Sequence, residues 1–141
     1  MSQAGYSGTP LAKKLGIKAG DAVALVRAPA DFEAELEGLP EGVDVRRRAG
    51  GHPDVVVLFV TEERELARRF EGLARSVWPD GSLWVAWPKR SSGVTTDLDE
   101  NRLRDIGLPH GVVDNKVCAV DEVWSALKFV IPKAERSKRS R

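Results

Sequence analysis

The sequence predicts a three-layer α/β domain with a mostly parallel, doubly wound sheet, and three observations carry that expectation. Ala22 to Arg27 (AVALVR), Asp54 to Val60 (DVVVLFV) and Ser82 to Trp87 (SLWVAW) are short, nearly unbroken apolar runs. Such runs suit strands covered on both faces, as in a parallel sheet with helices above and below. An amphipathic helical pattern lies between the last two runs, and strands alternating with helices build a parallel sheet through right-handed crossovers. Finally, Val112 to Val120 and Val123 to Ile131 read as two strands separated by Asp121-Glu122. Their simplest arrangement is a C-terminal antiparallel hairpin that adds an edge to the sheet.

The elements follow in order. Thr9-Pro10-Leu11-Ala12-Lys13-Lys14-Leu15-Gly16 reads as a short helix with Thr9 as N-cap, Pro10 at the first helical position and Gly16 at its end. Gly20-Asp21 turns the chain into the first strand. Asp31 to Glu37 predicts a short helix with Phe32, Leu36 and Leu39 on its apolar side, and Val43 to Arg46 a weaker, edge-like strand. Ala49 to Pro53 is a loop. Thr61 is placed to cap the strongest helix, with Glu62 and Glu63 in the first turn, where the helix dipole favours negative charge. Leu66, Ala67, Phe70, Leu73, Ala74 and Val77 make one apolar stripe, and Glu65–Arg69 and Glu71–Arg75 are i,i+4 pairs on the wet face. Pro79-Asp80-Gly81 is a turn, and Pro88 stops the third buried strand. Asp97, with Glu100 three residues on, predicts a capping-box start to a short helix ending near Gly107.

A chain of 141 residues fits one domain, here 1–131, followed by a basic tail over 132–141 that is expected to be disordered. The net charge of +1 gives no overall pull toward nucleic acid or membranes. Arg46-Arg47-Arg48 and the tail cations Lys133, Arg136, Lys138, Arg139 and Arg141 therefore read as solvated charge, and nucleic acid is not an expected partner. The longest apolar run, Val55 to Val60, is too short to span a bilayer, and the polar start lacks a secretion signal. A lone Cys118 agrees with a reducing compartment, so a cytoplasmic location is expected. One cysteine and two separated histidines, His52 and His110, predict no metal site.

The order of elements resembles a Rossmann-like class I methyltransferase fold shortened by one helix–strand unit, with the helix 62–77, Pro79-Asp80-Gly81, Leu83-Trp84-Val85 and the closing hairpin matching its second half. That resemblance implies a glycine-rich turn after the first strand, where a Cβ would block the approach of a nucleotide cofactor. Here the strand runs into Arg27-Ala28-Pro29-Ala30-Asp31-Phe32, which contains no glycine. The acidic residue expected after the second strand is replaced by Arg46-Arg47-Arg48. No cofactor is therefore expected, and no catalytic residue is identified. There is no Gly-x-Ser-x-Gly elbow and no Gly-Lys-Ser/Thr, and Cys118 reads as a buried inert thiol. Asp31, Glu33, Glu35 and Glu37 alternate, so they do not share a helix face and read as a solvated acidic surface.

The remaining candidate is the loop after the third buried strand. Lys89, Arg90, Ser91, Ser92, Gly93, Val94, Thr95, Thr96 and Asp97 supply two cations, four hydroxyls and a glycine at the carboxyl end of a strand, leading into a helix. Such groups suit a small anionic ligand, with Trp87 as an apolar wall. Lys116 and Lys128 interrupt the last strands and would guard the edge against pairing with other chains. Alternatively, Trp124 would anchor a protein partner or a homodimer there. The functional expectation is a non-catalytic methyltransferase-like domain binding a small anion or a protein. Its alternatives are a divergent S-adenosylmethionine-dependent methyltransferase and a dimeric interaction module.

The chain also resembles a bacterial, mainly actinobacterial, family known only as a domain of unknown function. The resembling segments are Ala4 to Gly16 (AGYSGTPLAKKLG), Leu83 to Lys89 (LWVAWPK) and Val113 to Ser125 (VDNKVCAVDEVWS). This resemblance spans Ala4 to about Ile131 and implies a stand-alone soluble bacterial protein. It brings with it no activity, substrate or site residue.

Overall fold

The computed structural model describes residues 9–136, so the start of the Ala4–Gly16 segment and the tail beyond Arg136 lie outside the described residues. Six strands form one sheet in the order β2-β1-β3-β4-β6-β5. They are β1 (Ala22–Val26), β2 (Asp44–Arg46), β3 (Val55–Phe59), β4 (Ser82–Pro88), β5 (Val113–Ala119) and β6 (Trp124–Val130). β1 pairs in parallel with β2 and with β3, and β3 in parallel with β4. β6 runs antiparallel to both β4 and β5. The closing hairpin adds an antiparallel edge to the sheet, as expected. Within it β6 lies between β4 and β5, and β5 is the edge strand. β4, apolar from Leu83 onward and buried at all seven positions, needs a neighbour on each side, and β6 supplies the second.

Helices α2 (Glu63–Ser76) and α3 (Glu100–Gly107) cover one face of the sheet, and α1 (Leu11–Lys14) with a 3-10 turn at Phe32–Glu35 covers the other. The two-residue period of β4 divides its side chains between these layers. Leu83, Val85 and Trp87 face Leu66, Phe70 and Leu103, whereas Trp84 and Ala86 join Leu11, Leu15 and Phe32. The buried Trp84 Nε1 donates to the Leu15 carbonyl at 3.1 Å, tying the end of α1 to the sheet. Only a loop links β2 to β3, so the unit that would extend the sheet past β2 is missing and β2 is the other edge.

Several local expectations change. Pro10, not Thr9, stands at the α1 N-cap, and no side chain caps that helix. The segment after β1 makes a 3-10 turn where a helix over 31–37 was expected, because a run of acids between Pro29 and the left-handed Gly38 leaves room for one turn. Phe32 and Leu36 are still buried, as their spacing indicates. Ala67 is exposed, one position off the Leu66–Phe70–Ala74 ridge that α2 buries. Glu65, paired with Arg69, is mostly covered, with a side-chain exposure of 17%, so this pair is not on the wet face. The predicted tail starts with a 3-10 turn at Lys133–Glu135, and Arg136 Nε donates to the Ile131 carbonyl at 3.0 Å.

Candidate functional site

In open parallel sheets ligands sit beyond the carboxyl ends of the strands, at the point where the strand order reverses. Here the chain moves outward from β1 to β2 and then crosses back to β3, so the reversal lies between β1 and β3. The segments that begin at Arg27, Arg47, Val60, Lys89 and Val120 all gather at this carboxyl edge.

At the end of β1, Arg27 adopts φ 61, the left-handed conformation that glycine takes without cost. For an L-residue with a side chain that geometry costs roughly 1–2 kcal/mol. The turn of the backbone is thus present although the glycine is not. The Arg27 guanidinium lies 3.6 Å from the Glu65 carboxylate. Arg47, just past β2, donates to the carbonyls of Ala28 and Pro29 at 3.3 and 3.4 Å and lies 3.8 Å from Glu33. The basic residue standing where the fold implies an acid is therefore bound to the first loop itself. Hydrogen bonds from Arg69 and then Arg68 hold the Glu65 carboxyl at about 2. The carboxyl ends of β1 and β2 are thus followed by residues engaged in ion pairs, Arg27 with Glu65 and Arg47 with Glu33.

The loop after β4 crosses to this same place. Arg90–Ser92 form a 3-10 turn that ends on Gly93 at φ 79. Thr96 Oγ1 donates to the Thr61 carbonyl at 2.6 Å and accepts the Leu98 N–H at 3.1 Å. Asp97 Oδ1 accepts the Glu63 N–H at 2.8 Å. Asp97 thus satisfies the start of α2, which Thr61 was expected to cap, and α3 is capped by Asp99, which accepts the Arg102 N–H at 2.8 Å. Arg102 then binds Glu63 through Nη2 at 2.6 Å and Nε at 3.2 Å, joining α3 to α2, and holds that carboxyl below its usual range. The capping spacing pointed to Asp97 and Glu100, but the chain folds two residues later.

Of the residues expected to meet an anion, some are committed internally. Ser92 Oγ donates to the Lys89 carbonyl at 2.7 Å and accepts the Val94 N–H at 3.1 Å. Trp87, 8% exposed, is packed in the α2–α3 layer and supports the loop from below. Ser91 and Thr95 are exposed. Lys89 and Arg90 have no acidic partner among the described residues, and the Lys89 N–H donates to the Val123 carbonyl at 2.7 Å, fixing the loop to the β5–β6 turn.

In that turn Asp121 Oδ1 accepts the N–H groups of Val123 and Trp124 at 2.8 and 2.9 Å. Burial, then the charge and hydrogen bond of Asp121, then the charge of Asp31, push the Glu35 carboxyl up to about 7. Glu35 was expected to be one of a set of solvated acids, and Asp31, Glu33, Glu35 and Glu37 are all exposed. The partner of Glu35 comes from a turn 86 positions away in the chain, by the numbering of the two residues, which helical spacing cannot reveal. Trp124 is half-buried, edge-on to Phe59 at 5.1 Å, and Phe59 is edge-on to Phe32 at 4.8 Å. Lys116 and Lys128 face one another across β5 and β6. Lys128 Nζ lies 5.8 Å over the Trp84 ring, and burial, then Lys116, lower its pKa. Burial likewise pushes the Cys118 thiol up, away from nucleophilic use. Among the described residues no group of three metal-ligating side chains occurs, and no helix is long and apolar enough to cross a membrane. A cleft of about 370 Å³, lined in part by Arg75, Trp78 and His110, opens at the other end of α2, away from these residues.

The fold is shared with solved methyltransferases. A SAM-dependent methyltransferase from Aquifex aeolicus superposes with a TM-score of 0.64 at 16% identity, covering 86% of this chain and 88% of that one. Fibrillarin from Aeropyrum pernix, with natively bound S-adenosyl-L-methionine, gives 0.56 at 17% identity, over 85% and 73%. Magnesium protoporphyrin IX methyltransferase from Synechocystis, with bound SAM, gives 0.52 at 10% identity, over 86% and 74%. No family model and no curated sequence matches the chain. At these identities the likeness establishes a Rossmann-like, class I methyltransferase-like fold with antiparallel strands at its C-terminal side.

Proposed function

We propose that this domain binds a small anionic ligand at the carboxyl edge of its sheet, through Lys89 and Arg90, without the glycine cradle of the methyltransferases it resembles. One observation carries this reading: Lys89 and Arg90 stand at the ligand-side edge without acidic partners among the described residues. Two strands away on the same edge, the loop after β1 is engaged by Arg47, bound to the Ala28 and Pro29 carbonyls. Phosphate- and carboxylate-bearing molecules match two adjacent cations on a turn. A thermal-shift series with inorganic phosphate, pyrophosphate and a dicarboxylate tests it. A concentration-dependent rise that disappears in the Lys89→Ala/Arg90→Ala double variant is expected, and a rise unchanged in that variant would sink the assignment.

A second reading is a divergent S-adenosylmethionine-dependent methyltransferase, and it is the one that the fold comparisons favour. Its specific support in this chain is Arg27, whose left-handed backbone keeps the turn that a glycine would make at the end of β1. Titration calorimetry with S-adenosylmethionine separates the readings. Micromolar binding would establish the second and remove the claim that the cradle is lost.

A further inference from the structure

Lys116 and Lys128 are directly opposed across β5 and β6, and like charges in that position destabilise a sheet. Guarding an exposed edge accounts for Lys116 alone, because β6 is an inner strand and Lys128 guards nothing. The Lys128 ammonium lies 5.8 Å over the ring of Trp84, whose Nε1 donates to the Leu15 carbonyl at 3.1 Å. The same tryptophan brings the end of α1 beside the hairpin, and Lys14 Nζ reaches across to the Ala119 carbonyl of β5 at 3.2 Å. Burial first, then the charges of Lys116, Lys18 and Arg136, lower the Lys128 pKa, so Lys18 and Arg136 belong to the same cluster. Lys18, Lys116 and Lys128 enter no ion pair among the described residues. Carboxylates close by in the chain are engaged: Asp21 accepts the backbone N–H of Lys18 at 2.8 Å, and Asp114 accepts from Arg104 at 2.9 Å. Like charge gathered without a partner, at a cost to the sheet, marks a surface that an anion completes.

We propose that the α1-side face of the β5–β6 hairpin docks a single-stranded nucleic acid, held through its phosphates by Lys14, Lys18, Lys116, Lys128 and Arg136. The cations follow a row: Lys14 stands beside Ala119, Lys116 lies about 10 Å further along β5, and Lys18 and Arg136 flank the ends of α1 and β6. A row of cations matches a chain of phosphates. A lipid surface is bound by cations flanked by apolar side chains that enter it, and here the exposed Leu108 and Val117 stand on the α2–α3 side of the sheet. Trp84 is fully buried and stacks on no base, so binding rests on phosphates and is independent of sequence. This surface shares no residue with the ligand assignment above and does not depend on it. The test is fluorescence anisotropy of a labelled twelve-nucleotide oligouridylate with the full chain across a salt series. Binding is expected at low salt and to weaken as salt rises, with a logarithmic slope of about −0.7 per phosphate contacted. Lys116→Gln/Lys128→Gln is expected to lose roughly tenfold in affinity and to make that slope shallower by about 1.4. Its melting temperature should hold or rise, since the opposed charges are gone. Lys116→Gln alone changes only an exposed side chain, and should make the slope shallower by about 0.7. Lys89→Ala/Arg90→Ala should bind as the parent does. Absence of oligouridylate binding, with or without retention on phosphatidylserine vesicles, overturns the proposal, as does a slope unchanged in both hairpin variants.

Discussion

Asp97 accepts the N–H of Glu63 at 2.8 Å, so the first turn of α2 is capped by a side chain 34 residues downstream. The helix start therefore depends on the loop after β4, and the loop's course depends on the helix. Replacing Asp97 by Ala is expected to cost about 1 kcal/mol, the usual worth of an N-cap. Thr61→Ala should cost much less, since Thr61 serves the loop through its carbonyl, which the substitution keeps. Urea denaturation of the two variants checks the contrast, and equal losses would return the cap to Thr61.

Arg27 provides a second test, because it separates backbone strain from ion pairing. Arg27→Ala loses the contact with Glu65 but retains a Cβ at φ 61. Arg27→Gly loses the same contact and removes the strain. The glycine variant should be the more stable of the two by about 1 kcal/mol. Chemical denaturation measures the difference, and an alanine variant at least as stable would show that the left-handed turn is not held against a steric cost.

Two helical glycines should respond to alanine in opposite directions. A Cβ on Gly107 would lie 2.8 Å from the rings of both Phe70 and Phe129. Overpacking of that kind costs about 1–3 kcal/mol and outweighs the gain in helix propensity. Gly72, in α2, has nothing within 4 Å of such an atom, so Gly72→Ala should stabilise by roughly 0.5–1 kcal/mol. Melting temperatures that move together would contradict the packing around Gly107.

The pH dependence of stability should have two limbs of opposite sign. Glu65 is held at about 2 against an ordinary 4.5, so its contribution is complete above pH 4.5 and is lost as pH falls toward 2. Glu35 is raised to about 7, so its contribution is complete below pH 4.5 and is lost as pH rises from there through 7. Melting curves of Glu65→Gln should shrink the acid limb, to which Glu63 also contributes, and those of Glu35→Gln should flatten the neutral limb alone. A neutral limb that survives in Glu35→Gln would assign it to another group.

The three buried strands, α2 and the closing hairpin were legible because their signals are local. Val55 to Val60 is apolar throughout, and Leu66, Phe70 and Ala74 recur at helical spacing. The missing glycine after β1 was equally plain. What was not legible depends on contacts between distant residues. Nothing near Asp97 distinguishes a cap for its own helix from a cap for α2, and Asp99 offers the same chemistry two positions on. The alternating acids of 31–37 gave no sign that Glu35 would meet Asp121. The left-handed turn at Arg27 was hidden for a different reason: residue type predicts positive φ only where glycine or asparagine announces it.

The insertion of β6 between β4 and β5 sets an order of assembly. β5 pairs with no strand but β6, and the outer side of β4 has no other neighbour among the described residues. As the chain leaves the ribosome, the four parallel strands can associate while β4 still presents an open, largely apolar edge. Residues 124–130 close that edge and recruit β5 in one step. Until they emerge, the nascent protein exposes its most aggregation-prone surface, so a chaperone that binds extended apolar segments would be needed most in that interval.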